Sequence, residues 1–369
     1  MRKAALYLAI SAASLYASAA YSQSSVTLYG IIDQAIKFDN HQTPSGGRTF
    51  AFASGGAILG SRWGLRGVED LGGGTKALFT LESGFVTNTG AMTYPTLSGQ
   101  TRMFGRQAFV GMSHNGWGTL TFGRQYGLVY LMGASHDTFG LSNYGATWGF
   151  QAGGLIGGAR FDNTVQYSSD SIYGFQLNGA YTFGGVAGNF HQNSSTAVSG
   201  RYVHGPLDVG VAYQVVNNIG GPAATTGYGN TYFGITIPES SQKLFIAGGS
   251  YVFGPATAYA QYIYSHVYPA DYRNDSFSAG LAYRFNASWE IRNAVYVDIL
   301  HHAGDEGTRI TTGPILFNHV SKRTDLYAGF NYSHVTGQWA VLVSSPGYSL
   351  SFNGFNSLFE ATVGIIHRF

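Results

Sequence analysis

Between Glu360 and Phe369 the chain alternates in a pattern that few folds accommodate. Ala361, Val363, Ile365 and Phe369 fall on one face of a strand with His367, while Glu360, Thr362, Gly364 and Arg368 fall on the other. A strand that is apolar on one face, polar or small on the other, and finished by an aromatic residue suits the closing strand of a barrel in a lipid bilayer, with lipid outside and water inside. No apolar run reaches the roughly 18 residues that a membrane helix needs. The 44% of residues that are hydrophobic are instead cut into short alternating segments. Only 10% of the residues are charged, against about a quarter in a soluble domain. The 53 Gly, 26 Tyr and 25 Phe fit strands whose small inner residues leave a lumen and whose aromatics ring the membrane interfaces.

The first residues read as an export signal. Met1-Arg2-Lys3 is a basic tip, Ala4 to Ala13 is mostly apolar, and small residues follow through Ala17, Ser18, Ala19, Ala20 and Ser22. Cleavage is expected after Ser22, with Ala19 as the competing site, giving a signal peptide over 1–22 and a mature chain over 23–369. Without Arg2 and Lys3 the 20 basic residues fall to 18 and balance the 18 acidic ones, so net charge points to no nucleic-acid partner. The chain has no Cys, which excludes disulfides and thiolate chemistry.

Period-2 runs bounded by turn residues predict about sixteen strands, near 25–38, 58–70, 73–85, 101–113, 117–125, 161–169, 172–184, 197–204, 206–216, 243–253, 255–267, 274–285, 288–299, 322–333, 336–345 and 357–369. The connections alternate between tight and long. Tight turns are expected at 70–74, 114–116, 170–171, 205, 254, 286–287 and 334–335, and long ones near 39–57, 86–100, 126–160, 185–196, 217–242, 268–273, 300–321 and 346–356. In an up-and-down barrel this alternation sorts tight turns to one rim and long loops to the other. The predicted fold is therefore all-β: one 16-stranded antiparallel transmembrane β-barrel with short periplasmic turns and long external loops.

Several spaced motifs carry a family likeness. Ser24-Ser25-Val26-Thr27-Leu28-Tyr29-Gly30 with Asp33, the run from Ser61-Arg62-Trp63-Gly64 through Gly72-Gly73-Gly74-Thr75-Lys76-Ala77, Arg106-Gln107-Ala108-Phe109-Val110-Gly111-Met112, Gly118-Thr119-Leu120-Thr121-Phe122-Gly123-Arg124-Gln125 and the closing Gly364-Ile365-Ile366-His367-Arg368-Phe369 resemble general diffusion porins of the beta-proteobacterial type. The resemblance implies a homotrimer that lets small hydrophilic solutes and ions diffuse across the outer membrane. It also implies a third loop, here 126–160, folded into the lumen, and a terminal Phe369 that serves as the signal read by the barrel-assembly machinery.

Charge is unevenly placed along the chain. Between Gly84 and Phe161 lie Arg102, Arg106, Arg124 and Arg160 against one acid, Asp137. With Trp63 and Leu65 facing lipid, parity turns Arg62 and Arg66 inward, and on the next strand it turns Lys76 and Glu82 inward. An arginine on the lipid face costs about 2–4 kcal/mol near the midplane. Pore-constriction positions are therefore expected for Arg62, Arg66, Arg106, Arg160, Glu82 and Asp137, with Arg124 ranked after them, and a weak preference for anions follows. Arg124 fits less well, since it shares parity with Leu120 and Phe122; a bulge before it, or a place at a rim or subunit interface, would reconcile it. For each arginine the plainer role is a rim contact to lipopolysaccharide, and for Asp137 a cap on a turn within the loop.

Other clusters point to no further chemistry. His301-His302 near Asp305-Glu306 alternate faces and read as a solvated loop rather than a metal site. Gly72-Gly73-Gly74-Thr75-Lys76 lacks the order of a phosphate loop and reads as a hairpin turn. No nucleophile signature is found, so neither catalysis, metal nor cofactor is expected. Tyr29, Tyr167, Tyr181, Tyr213, Tyr283, Phe285 and Phe369 read as wall and girdle. A substrate-specific channel is the nearest alternative function, with a barrel enzyme or an adhesin further off.

Overall fold

The computed structural model describes residues 25–53, 56–93, 101–142, 144, 159–217, 231–232, 235–236, 241–344 and 352–369. The expected signal peptide and the segments 143 and 145–158 of the expected constriction loop lie outside them. The strands in chain order are β1 (Ser25–Asp39), β2 (Thr49–Phe52), β3 (Arg62–Gly72), β4 (Thr75–Gly84), β5 (Gln107–His114), β6 (Gly118–Tyr126), β7 (Arg160–Ser168), β8 (Phe175–Thr182), β9 (Ser195–His204) and β10 (Leu207–Asn217). They continue as β11 (Thr231–Tyr232), β12 (Ile235–Thr236), β13 (Ser241–Phe253), β14 (Ala256–Tyr268), β15 (Tyr272–Arg284), β16 (Trp289–His302), β17 (Asp305–Thr312), β18 (Ile315–His319), β19 (Thr324–Val335) and β20 (Ser357–Arg368). Two helices interrupt them, α1 (Leu128–His136) and α2 (Gly337–Val343).

One antiparallel sheet of 18 named strands closes on itself where β1 pairs with β20 along Ile31–Asp39 and with β3 along Ser25–Ile31. Strands β17 and β18 are two pieces of one wall strand, both held between β16 and β19, and β2 only extends the outer end of β1. The wall thus has sixteen positions, and closure leaves no sheet edge to satisfy in lipid. At the seam Gly30 and Phe369 exchange backbone hydrogen bonds of 3.0 and 3.1 Å. The Phe369 ring lies so close that a Cβ on Gly30 would sit 2.3 Å from it.

Parity along the wall follows the expected alternation. Val26, Leu28, Val110, Met112, Val198, Val211, Val363 and Ile365 are exposed on the outside, while Asp33, Glu82, Thr121, Gln214, Asp298 and Glu360 are buried on the inside. Tight connections gather at one rim: Gly73-Gly74, 115–117, 169–174, 205–206, 254–255, 285–288 and 320–323. The glycine triplet expected to turn there does so with φ of +83°, +62° and +81° at Gly72, Gly73 and Gly74.

Two assignments change. The strand expected at 336–345 is helix α2, whose buried Trp339, Leu342 and Val343 recur at i, i+3 and i+4 rather than every second residue. The long loop expected at 300–321 is wall strand β17–β18, turned from β16 by Ala303-Gly304 alone. Gly307, Gly313 and Pro314 disguised it, because Pro donates no ladder hydrogen bond and is confined to edges and breaks in a strand. Here it sits in the gap between β17 and β18. The errors cancel in the count and move the last tight turn from 334–335 to 320–323.

Candidate functional site

The segment after β6 enters the barrel. Helix α1 carries Leu128, Val129, Met132, Gly133 and His136 on one buried face, a 3.6-residue stripe that packs on Ala212, Leu244, Ile246 and Ile263 of β10, β13 and β14. Small inner residues were expected to keep the lumen open, but four inward glycines instead form a groove that receives this loop. A Cβ on Gly210 would lie 2.5 Å from the Met132 sulfur, on Gly248 2.8 Å from His136 Cβ, on Gly280 2.1 Å from Thr138 Oγ1 and on Gly329 2.6 Å from the Tyr144 hydroxyl. Further along, Phe139 and Tyr144 pack against Ala294, Tyr296, Ile315, Phe317 and Tyr327. The Tyr144 hydroxyl lies 2.6 Å from the carbonyl oxygens of both Pro314 and Phe330. The loop is therefore laid along the inner wall from β10 to β19, as the third loop of the expected architecture is.

Asp137 holds the loop's own turn. One carboxylate oxygen accepts the Phe139 and Leu141 N–H groups at 2.9 Å each, the other accepts the Tyr296 hydroxyl at 2.8 Å, and only 4% of the residue is exposed. Burial pushes its carboxyl above the usual carboxylate range, against the lowering effect of the Leu141, Tyr296 and Phe139 donors. This placement corrects the expectation of a pore-facing charge: the side chain is a turn cap.

Facing the loop stands the wall from β1 to β7, where the arginines converge. Glu82 on β4 is their hub. Arg106 donates to it from Nε at 2.6 Å, Tyr29 from its hydroxyl at 3.0 Å, and Arg62 Nε lies 3.8 Å away. Arg106 Nη2 and Arg160 Nη2 both donate to the Tyr126 hydroxyl, at 2.6 and 3.0 Å. The Arg160 guanidinium lies 4.5 Å from the centre of the Tyr126 ring, and that of Arg66 5.5 Å from the Tyr29 ring. Arg62 is half-buried and Arg66 exposed, whereas Arg106, Arg124 and Arg160 are buried, with 5%, 7% and 2% of each exposed.

Arg124 reaches the same face through the bulge. The β6–β7 register slips between Gly123 and Gln125, where Arg124 stands opposite both Asp162 and Asn163 of β7, with Gly123 at φ +136° and Asn163 at φ +52°, and the alternation of burial along β6 breaks at Arg124. Its guanidinium then donates to the Gly105 carbonyl at 2.8 Å and to Asp162 at 2.6 Å, and Arg102 donates to the same carboxylate at 2.6 Å. Six arginines, at 62, 66, 102, 106, 124 and 160, thus gather around two carboxylates, Glu82 and Asp162, an excess of four positive charges within this cluster.

Asp162, Tyr29 and Tyr126 escaped the sequence reading. Asp162 lies one residue past the charge window, and Tyr29 was grouped with the outer girdle although parity with Asp33 puts it inside. Asp33 itself accepts the Ile58 and Leu59 N–H groups at 2.8 and 2.6 Å and the Tyr327 hydroxyl at 2.5 Å, folding the chain before β3 into the lumen. His302 stacks on Tyr272 at 3.6 Å, and among the described residues no group of three or more potential metal ligands assembles.

Comparison with known proteins places this geometry. The family model described as Gram-negative porin matches residues 8–338. An outer membrane porin protein of Bordetella pertussis is 34% identical over 244 residues, 59% of this chain and 60% of that one. Outer membrane porin protein 32 of Delftia acidovorans is 28% identical over 380 aligned positions and 100% of both chains. Among solved structures, an anion-selective porin from Comamonas acidovorans superposes with a TM-score of 0.74 at 22% identity, over 94% of this chain and all of that one.

Proposed function

The chain belongs to the Gram-negative porin family and is an outer-membrane diffusion channel for small hydrophilic solutes and ions; from that premise we propose that its constriction prefers anions and that the arginine wall sets the preference. The observation that carries this is the cluster of six arginines around Glu82 and Asp162, four positive charges in excess, beside a loop whose acid Asp137 is sealed in a turn. Fixed charge beside a low-dielectric wall is weakly screened, so it raises the local concentration of counter-ions. Arg62 and Arg66 meet the solute, while the buried Arg106, Arg124 and Arg160 act through their field. Glu82, Asp162 and Tyr126 hold the guanidiniums in place, so an anion is attracted without being wrapped, and weak binding lets it leave. The same family relationship supports a homotrimer, a signal peptide over 1–22 followed by a barrel over 23–369, lipopolysaccharide around the long-loop rim and recognition of Phe369 during barrel assembly. Family and fold point to a channel rather than an enzyme.

The test is the reversal potential of the refolded protein in a planar bilayer across a salt gradient. The expected sign is anion-directed, and Arg62→Gln with Arg66→Gln moves it toward cations while Arg106 keeps Glu82 paired. A cation-directed potential in the unmodified channel, or none of the shift in the variant, would remove the arginine wall from selectivity. Saturable flux of one nutrient with block of the current by it would instead favour a substrate-specific channel.

A further inference from the structure

Between the loop and the tight-turn rim, parity brings a second set of charges to the lumen face. Arg284 ends β15, Glu290 and Arg292 lie on β16, His319 ends β18, Asp325 lies on β19 and Arg368 ends β20. All but Glu290, which sits behind Arg284 and Arg292, border a cavity of about 410 Å³ that Lys322 of the last tight turn also lines, within the size range of small-molecule sites. We propose that this basin binds a small organic anion, a carboxylate carried on an apolar body, as a second station in series with the arginine wall. The proposal rests on the anion-preferring reading for its place in the route, not for the binding itself.

The charge balance favours an anion. Four cations, Arg284, Arg292, Lys322 and Arg368, face two carboxylates, Glu290 and Asp325. Each carboxylate fixes cations rather than cancelling the group. Arg284 Nη2 and Arg292 Nε sit 2.9 and 2.5 Å from Glu290, and Arg368 Nη1 sits 2.6 Å from Asp325. His319 joins the two acids, with Nδ1 2.7 Å from Asp325 and Nε2 3.5 Å from Glu290. The next carboxyl, Asp137, is sealed in its turn above the basin.

These cations are accessible, unlike the buried arginines around Glu82 and Asp162. Side-chain exposure is 57% for Arg284, 34% for Arg292 and 38% for Arg368, against 6% for Arg106 and 7% for Arg124. Arg292 uses Nε on Glu290 with its guanidinium 5.1 Å from the centre of the Phe317 ring, and Arg368 uses Nη1 on Asp325. Their remaining Nη groups offer the planar donor pairs that match a carboxylate. The apolar body is called for by the rest of the lining. Ile58, Leu59, Phe139 and Phe317 border the same cavity, and an inorganic oxyanion would leave that surface wet, whereas a ring or short alkyl chain covers it.

Benzoate is the probe. It is titrated calorimetrically into the folded full barrel in detergent, with empty micelles as the reference and benzyl alcohol and sulfate as competitors. Benzoate binding with no comparable binding of benzyl alcohol is expected, as is an affinity about tenfold lower in the Arg284→Gln/Lys322→Gln variant, the cost of losing charge-assisted donors. Arg292 keeps Glu290 paired in that variant. Arg62→Gln with Arg66→Gln should leave benzoate affinity unchanged while shifting the reversal potential. Equal affinity in the basin variant, loss of binding in the Arg62/Arg66 variant, or equal uptake of benzyl alcohol by the unmodified protein overturns the basin. A cation-directed reversal potential with benzoate affinity still lost in the basin variant refutes the selectivity reading and upholds the basin.

Discussion

The two halves of the inner wall are built on opposite principles. From β1 to β7 the inward positions carry long charged and hydroxylated side chains, tied together in one group through Glu82 and Tyr126 and in another through Asp162. From β10 to β19 the inward positions opposite the loop are apolar or small, and four of them, Gly210, Gly248, Gly280 and Gly329, carry no side chain at all. Glycine on one arc lets the loop sink against that wall, away from the arc that keeps its arginines.

Breaking the loop side should have the largest effect. Replacing residues 128–158 by a short linker should raise single-channel conductance by roughly twofold or more, since the lumen's cross-section is then set by the wall; an unchanged conductance would mean that the loop does not narrow the passage. On the arginine side, Arg106→Gln leaves Glu82 buried beside weaker partners and should cost about 3–5 kcal/mol of stability. The double variant Arg106→Gln/Glu82→Gln should recover much of that, as read by denaturant unfolding of the barrel; no recovery would show that Arg106 acts through packing.

Filling the groove sharpens the contrast at smaller cost. Gly248→Val places carbon where His136 Cβ lies, so it should destabilise by about 1–3 kcal/mol and make the open-channel current noisier as the loop loosens. Gly179→Ala, where a Cβ meets nothing within 4 Å, should do neither. Asp137→Asn removes a charged acceptor from the Phe139 and Leu141 N–H groups and should cost about 1–2 kcal/mol, with the reversal potential unmoved. A shift toward anions would return that carboxylate to the channel.

Some of this organisation is legible residue by residue. Arg62, Arg66 and Glu82 point inward because Trp63, Leu65 and Leu81 must meet lipid, and that inference needs only the period of a strand. The conflict at Arg124 was legible as well, since Leu120 and Phe122 could not share its face without a bulge, and Gly123 supplies one. Helix α2 was misread because Trp339, Val341 and Val343 alternate as well as a strand would. Only its packing selects Trp339, Leu342 and Val343 as the buried set.

The sequence by itself determined the barrel, the number of its wall strands, the face that most wall residues take and the segment that enters the lumen, because alternation and turn chemistry act over a few neighbouring residues and the bilayer enforces them. Tertiary structure alone decided that Glu82 gathers Tyr29, Arg62 and Arg106, that Asp162 divides itself between Arg102 and Arg124, and that Asp137 turns into its own loop. Those partners lie on different strands, and their meeting depends on the register and closure of the whole wall, to which no local pattern refers.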